Sequence, residues 1–83
     1  MNNVAYIEFT SCTDYGDNGR IATLRDASGV CIGYGDGGDD FEAVMNAVVG
    51  ATGLSYGKAS DMMQEILATV TDRRYGAGVT VSN

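Results

Sequence analysis

A glycine-rich, acidic run over residues 33–40 constrains the fold of this chain more than any other segment. It reads Gly-Tyr-Gly-Asp-Gly-Gly-Asp-Asp and lies between an apolar strand pattern at residues 30–32 and a helical pattern that begins at Phe41. Its glycines match the G-x-G-x-x-G spacing of dinucleotide-binding turns. Its aspartates would repel a pyrophosphate at close range, so we interpret the run as a flexible acidic turn that caps the following helix.

Apolar periodicity and turn residues predict the other elements. The predicted strands cover residues 4–10, 20–25, 29–34 and 79–81, and the predicted helices begin near residues 40 and 58–60. The sequence Asp26-Ala27-Ser28-Gly29 is typical of a hairpin loop with a left-handed glycine. We therefore predict one α+β domain over residues 1–83, in the order β-β-β-α-α-β. Its mainly antiparallel sheet has three to four strands, with the two short helices on one face.

Capping residues and apolar stripes define the two predicted helices. Asp39 is the expected N-cap of the first helix, with Glu42 three residues later, and Gly50 and Gly53 close it. The second helix is predicted to end near Arg73 and Arg74, where cations favour the helix dipole. The expected apolar stripes are Phe41, Val44, Met45, Val48 and Val49 on the first helix and Met63, Ile66, Leu67 and Val70 on the second.

Charge is distributed unevenly along the chain. The net charge is −6, and residues 1–42 account for all of it, because the acids and bases of residues 43–83 cancel. An acidic surface repels nucleic acid and anionic lipid and attracts basic proteins, so we expect no direct nucleic-acid or membrane binding. No apolar run is as long as a membrane span, and residues 1–3 do not resemble a signal peptide, so we expect a cytoplasmic protein.

The residues that usually carry catalysis are scarce. There is no histidine and one lysine, and the serines and cysteines have no visible general base nearby. We expect Cys12 and Cys31 to be free thiols, with Cys31 in the core, and we predict neither enzymatic activity nor a cofactor. No EF-hand pattern is present. A looser cation site would form only if four loop carboxylates met in space. A structural protein stabilised by Ca²⁺ is therefore a further alternative, and we predict no metal site. These carboxylates are Asp14, Asp17, Asp36 and Asp39.

Four of the five tyrosines are followed by glycine, at residues 15, 34, 56 and 75. Tyrosine offers a rigid amphipathic contact and glycine an adaptable backbone, a combination that binding surfaces use. Tyrosines that pack over turn glycines for stability would give the same pattern. With the neighbouring carboxylates, two of these tyrosines predict a surface for a basic protein or ribonucleoprotein. The predicted partner-binding residues are Tyr15, Asp17, Tyr34, Asp36, Asp39, Asp40 and Glu42.

The layout of the whole chain resembles the small phage-encoded anti-CRISPR proteins. The likeness lies in the hairpin of residues 20–34, the acidic glycine run of residues 33–40, and two short helices in a compact chain. The resemblance implies a stoichiometric inhibitor of a bacterial CRISPR-type defence complex, acting in the host cytoplasm. Its carboxylates would occupy basic sites that normally hold DNA or guide RNA.

A small-ligand alternative uses the same run differently. In this reading, the backbone amides of the glycine turn at residues 33–38 bind a nucleotide, and tyrosines stack on its base. The arginines that would hold its phosphates are Arg20, Arg25, Arg73 and Arg74. This alternative predicts a nucleotide-binding or sequestering protein, which nucleotides would stabilise against heat.

Overall fold

The computed structural model describes residues 3–16 and 18–76 and confirms the α+β fold and the predicted order of elements. A single 3₁₀ turn, Thr13–Tyr15, follows the first strand. The strands are β1 (Tyr6–Ser11), β2 (Arg20–Arg25), β3 (Cys31–Gly37) and β4 (Arg73–Tyr75), and the helices are α1 (Asp40–Thr52) and α2 (Tyr56–Thr69).

The four strands form one mixed sheet in the order β3-β2-β1-β4. β1, β2 and β3 are an antiparallel meander, whereas β4 lies parallel to β1. The sheet is therefore not purely antiparallel. β3 and β4 are its two edge strands, and the chain between them forms both helices.

One face of the sheet carries the core, and the other faces solvent. Residues alternate along β1 and β2, so that Ile7, Phe9, Ala22 and Leu24 are buried beneath the helices. The helices contribute small and branched side chains to the same core. Those buried on α1 and α2, or directly after α2, are Ala43, Val44, Ala47, Val48, Ala59, Met63, Ile66 and Val70.

The glycine run is a strand rather than a turn, which corrects the sequence interpretation. Gly33, Gly35 and Gly37 are alternate residues of β3 and face α1. A Cβ on Gly33 would lie 2.6 Å from the Cβ of Ala51, and one on Gly37 would lie 2.7 Å from the Ala43 nitrogen. The glycines let the strand and helix backbones approach closely, and only residues 38 and 39 remain as a connection.

The predicted turns and caps next to β3 are confirmed. The Asp26 carboxylate accepts hydrogen bonds from the amides of Ser28 and Val30, and Gly29 has the left-handed φ of +84°. Asp39 caps α1 by accepting a hydrogen bond from the Glu42 amide at 2.8 Å. α1 ends before Gly53, which has a left-handed φ of +71°, whereas Gly50 lies inside the helix and does not close it.

The structure differs from the sequence prediction in several details. Phe41 is 65 % exposed near the start of α1, and Cys31 is exposed on an edge strand instead of buried. α2 ends at Thr69, so Arg73 and Arg74 belong to β4 and not to a helix terminus. Thr69, Val70 and Thr71 are β-branched, which disfavours continuation of the helix. The strand predicted at residues 79–81 lies outside the described residues.

In the part of the chain that the structure describes, neither helix has the length and apolar character that crossing a membrane requires.

Candidate functional site at the acidic edge

Tyr34 and Asp36 lie on the solvent face of β3, because the glycines between them face α1. Tyr34 is 69 % exposed, and Asp36 is also exposed. Tyr34 and Asp36, both predicted partner-binding residues, are therefore exposed on the same face of β3. Tyr34 was expected at the end of a strand but lies in the middle of one.

Tyr15 reaches the same region from the 3₁₀ turn after β1. The negative charge of Asp36, followed by desolvation and the charge of Glu42, raises the pKa of the Tyr15 phenol. The Tyr15 hydroxyl and the Asp36 carboxylate are close enough for a side-chain interaction that acts in the same direction. Residues from the 3₁₀ turn, β3 and α1 therefore converge on one acidic surface.

The α1 side of this surface contains a residue that the sequence analysis missed. Asn46 Nδ2 donates a hydrogen bond of 2.7 Å to the backbone carbonyl of Asp36. Asn46 lies four residues after Glu42, which places both on one helix face, and this spacing was the available signal. We call the surface formed by Tyr15, Tyr34, Asp36, Glu42 and Asn46 the acidic edge.

An open groove of about 560 Å³ runs along the acidic edge between β3 and α1. Tyr34, Asp36 and Asn46 line it together with Gly50 and Ala51. None of its lining residues is a lysine or an arginine. The groove therefore combines exposed strand backbone, small helix residues and negative charge.

Asp39 and Asp40 make contacts within the protein. Asp39 caps α1, as described above. Asp40 lies 3.2 Å from the Nε of Arg20, a side chain that is almost fully buried, and accepts a hydrogen bond of 3.2 Å from the Tyr75 hydroxyl. The Arg20 Nε–Asp40 contact is an ion pair by distance, although its angle is poor for a hydrogen bond. Both aspartates therefore have structural roles. Asp17, another predicted partner-binding residue, lies outside the described residues.

The four arginines proposed for phosphate binding have other contacts. Besides the Arg20–Asp40 pair, Arg25 donates to Glu8 at 3.1 and 3.2 Å. Arg74 donates to Asp72 and stacks on the ring of Tyr6, 3.7 Å from its centroid. Arg73 donates to the Leu67 carbonyl. Arg20 therefore contacts the end of the glycine run through Asp40, whereas Arg25, Arg73 and Arg74 contact other parts of the fold.

Among residues 3–16 and 18–76, no three His, Cys, Asp or Glu side chains are grouped so that they could hold a metal ion. Of the aspartates in the loose cation site, Asp36 lies beside Tyr15 and Asp39 caps α1.

No protein-family model matches the chain. No curated protein and no solved structure is significantly similar to it either.

Proposed function

We propose that the protein is a non-enzymatic interaction protein that binds a basic surface of a partner through the acidic edge. The observation that carries the proposal is that Asp36 and Glu42 both act on Tyr15 beside a groove whose described lining contains Tyr34 and Asp36 but neither lysine nor arginine. Exposed carboxylates speed the encounter with a basic partner, and tyrosines supply contact area at low entropic cost.

We further propose that this partner is the basic nucleic-acid-binding surface of a bacterial CRISPR-type defence complex. The protein would act there as a stoichiometric inhibitor in the bacterial cytoplasm. Support comes from the net charge of −6 and from the resemblance in layout to phage-encoded anti-CRISPR proteins. A channel that binds phosphates attracts carboxylates held on a rigid scaffold for the same electrostatic reason.

The nucleotide-binding alternative has less support. It requires a glycine turn with free amides, whereas residues 33–37 form a strand packed on α1 and Asp39 caps the helix with its own side chain. We therefore retain the protein-binding proposal alone.

Charge reversal at the acidic edge tests the proposal. The test variant is the double substitution Asp36→Lys and Glu42→Lys, which spares the cap and the Arg20–Asp40 pair. The matched control is Asp61→Lys and Glu65→Lys, which makes the same charge change at exposed positions of α2. Tagged wild type and both variants are incubated with nuclease-treated bacterial lysate, and the bound proteins are identified by mass spectrometry. Circular dichroism and thermal melting first establish that all three proteins are folded.

The expected result is that wild type and the α2 control retain the same basic nucleic-acid-binding protein and the acidic-edge variant loses it. Heparin, a competing polyanion, should elute that protein from the wild type. If the three baits capture the same proteins, or none captures a basic protein, the proposal is wrong.

A further inference from the structure

The outer edge of β3 carries backbone groups that pair with no strand in residues 3–16 and 18–76. β3 is the last strand of the sheet, with β2 on its inner side. In an antiparallel pair, backbone groups point alternately toward and away from the partner strand. The Asp36 carbonyl receives the Asn46 side chain, and the Tyr34 carbonyl lies 3.4 Å from where a Cβ on Gly50 would be. The polar groups of Tyr34 and Asp36 therefore face outward, and those of the glycines face β2.

This edge has few of the features that usually protect a sheet edge. Proteins guard exposed edges with proline, charged side chains (lysine above all), strong bulges or a covering segment, and Asp36 is the one charged side chain of residues 33–37. The chain has no proline, and its single lysine, Lys58, is on α2. The irregularity of β3 lies at its start, opposite Leu24 and Arg25, and leaves residues 33–37 in regular pairing. The side chain of Asn46 covers one carbonyl and leaves the groove beside it open.

The open volume of the groove, about 560 Å³, is compatible with an added strand, which would replace Asn46 as the partner of the Asp36 carbonyl. A new strand would lie about 4.8 Å from β3, in the space between the edge and α1. The helix side of that space is formed by Gly50, Ala51 and Asn46, which are small or of moderate size. Side chains of an added strand that point toward α1 would therefore be small or aliphatic. Those on the other side would lie beside Tyr34 and Asp36.

The charge of the edge selects the occupant. Asp36 is the one charged side chain among the described residues that line the groove, and Glu42 lies near the neighbouring Tyr15, so the charge at this edge is negative. A second copy of the chain would bring the same carboxylates to the same edge, where like charges are unfavourable. A strand that alternates lysine or arginine with small aliphatic residues satisfies both the charge and the shape.

We propose that β3 binds an extended basic segment of the partner protein by β-strand addition, with the segment lying in the groove beside α1. This inference rests on the proposed function and adds the binding mode. Backbone hydrogen bonds would supply affinity, and the alternating side chains would supply specificity.

Two synthetic peptides of the same sequence test the binding mode. Both alternate lysine with valine over eight residues, and one has every second backbone amide N-methylated so that one edge cannot donate hydrogen bonds. Binding to the ¹⁵N-labelled protein is followed by NMR, with amide shifts and hydrogen exchange measured along β3. We expect the unmodified peptide to protect the Tyr34 and Asp36 amides. N-methylation that blocks the donors facing β3 should weaken binding at least about tenfold, because several hydrogen bonds are lost together.

A pair of protein variants provides the reciprocal control. Tyr34→Pro removes an outward-facing amide that no ladder bond to β2 uses, and prolines are tolerated on strand edges in such positions. Tyr34→Thr removes the ring but keeps the amide. Tyr34→Pro should weaken the unmodified peptide more than Tyr34→Thr does.

Three outcomes would overturn strand addition. Equal affinity of the unmodified peptide and of a peptide whose β3-facing amides are methylated, with both choices of alternate amide tested, would mean that charge alone drives binding. Absence of binding by either peptide would mean that the edge does not take a basic strand. A shift of the free protein to a dimer in sedimentation, lost in Tyr34→Pro, would identify a second copy as the occupant. The lysate experiment judges the proposed function independently of all three.

Discussion

At the scale of single residues, the contact between β3 and α1 depends on missing side chains. A Cβ on Gly35 would collide with the backbone nitrogen of Ala47 in the middle of α1. Backbone atoms cannot turn aside as a flexible side chain can, so the helix would have to move away from the sheet. The closeness of these two elements also brings Asn46 within reach of the Asp36 carbonyl.

We expect Gly35→Ala to lower the free energy of unfolding by about 1–3 kcal/mol, the usual cost of overpacking a core contact. The matched control is Gly57→Ala near the start of α2, where no atom lies within 4 Å of the new Cβ. That substitution should raise the free energy of unfolding by about 0.4–1 kcal/mol, because alanine restricts the unfolded chain. Urea denaturation followed by circular dichroism measures both. Equal effects of the two substitutions would contradict the packing argument.

The same residues show what a single sequence can and cannot indicate. Glycine at every second position has the period of a strand, and Ala43, Ala47 and Ala51 recur with the period of a helix. Each pattern is visible alone, but nothing in one sequence shows that the two face each other. Glycine-rich segments between a strand and a helix are usually turns, and that local rule gave the wrong answer here.

At the scale of elements, the two helices begin differently. The Asp39 side chain holds the first turn of α1, whereas Ser55 stands at the N-cap position of α2 without a side-chain hydrogen bond. α1 therefore has a start that is fixed locally. The start of α2 depends on the residues that it buries, among them Ala59 and Met63.

We expect Asp39→Ala to lower the free energy of unfolding by about 1 kcal/mol, the typical contribution of an N-cap. Ser55→Ala should change it by much less, because no capping bond is lost. Parallel urea titrations of the two variants and the wild type make the comparison. A loss at Ser55 as large as that at Asp39 would show that the side-chain bond at Asp39 is not the source of the effect.

The elements that were predicted correctly are those with local signals. The cap at Asp39 and the hairpin loop at residues 26–29 follow from side chains that bond to nearby backbone. β4 has no such signal, since Arg73 and Arg74 are equally suited to a helix end. The strand forms because β1 offers it hydrogen-bond partners: Ile7 donates to Asp72, and Gly76 donates to Phe9. Tyr75 also stacks on Phe9, with ring centroids 5.1 Å apart.

At the scale of the whole molecule, two polar contacts of one residue, Asp40, join three elements. Asp40 at the start of α1 pairs with Arg20 of β2 and accepts a hydrogen bond from Tyr75 of β4. Burial, followed by the charge of Asp40, raises the pKa of the Tyr75 phenol above its usual value near 10. The folded protein therefore holds this proton more tightly than the unfolded chain does.

We expect stability to be independent of this phenol below about pH 10, the pKa of tyrosine in the unfolded chain. Above that pH the unfolded state binds fewer protons than the folded state, so stability falls until the raised folded pKa is passed. Urea unfolding between pH 8 and pH 11 should therefore show a decline that is shallower in Tyr75→Phe than in wild type. Parallel curves for the two proteins would contradict this assignment. The raised pKa of Tyr15 lowers stability at high pH in the wild type and in Tyr75→Phe alike, so it does not contribute to the difference between the two curves.

The position of β4 has a consequence for the order in which the sheet is completed. β1 is made first, and β4, its parallel neighbour, comes after the two helices. While the chain is being synthesised, β1 therefore has one unpaired side until residues 73–75 have left the ribosome. The antiparallel meander can form early from neighbouring segments, but a nascent chain must wait for its last described strand to cover its first.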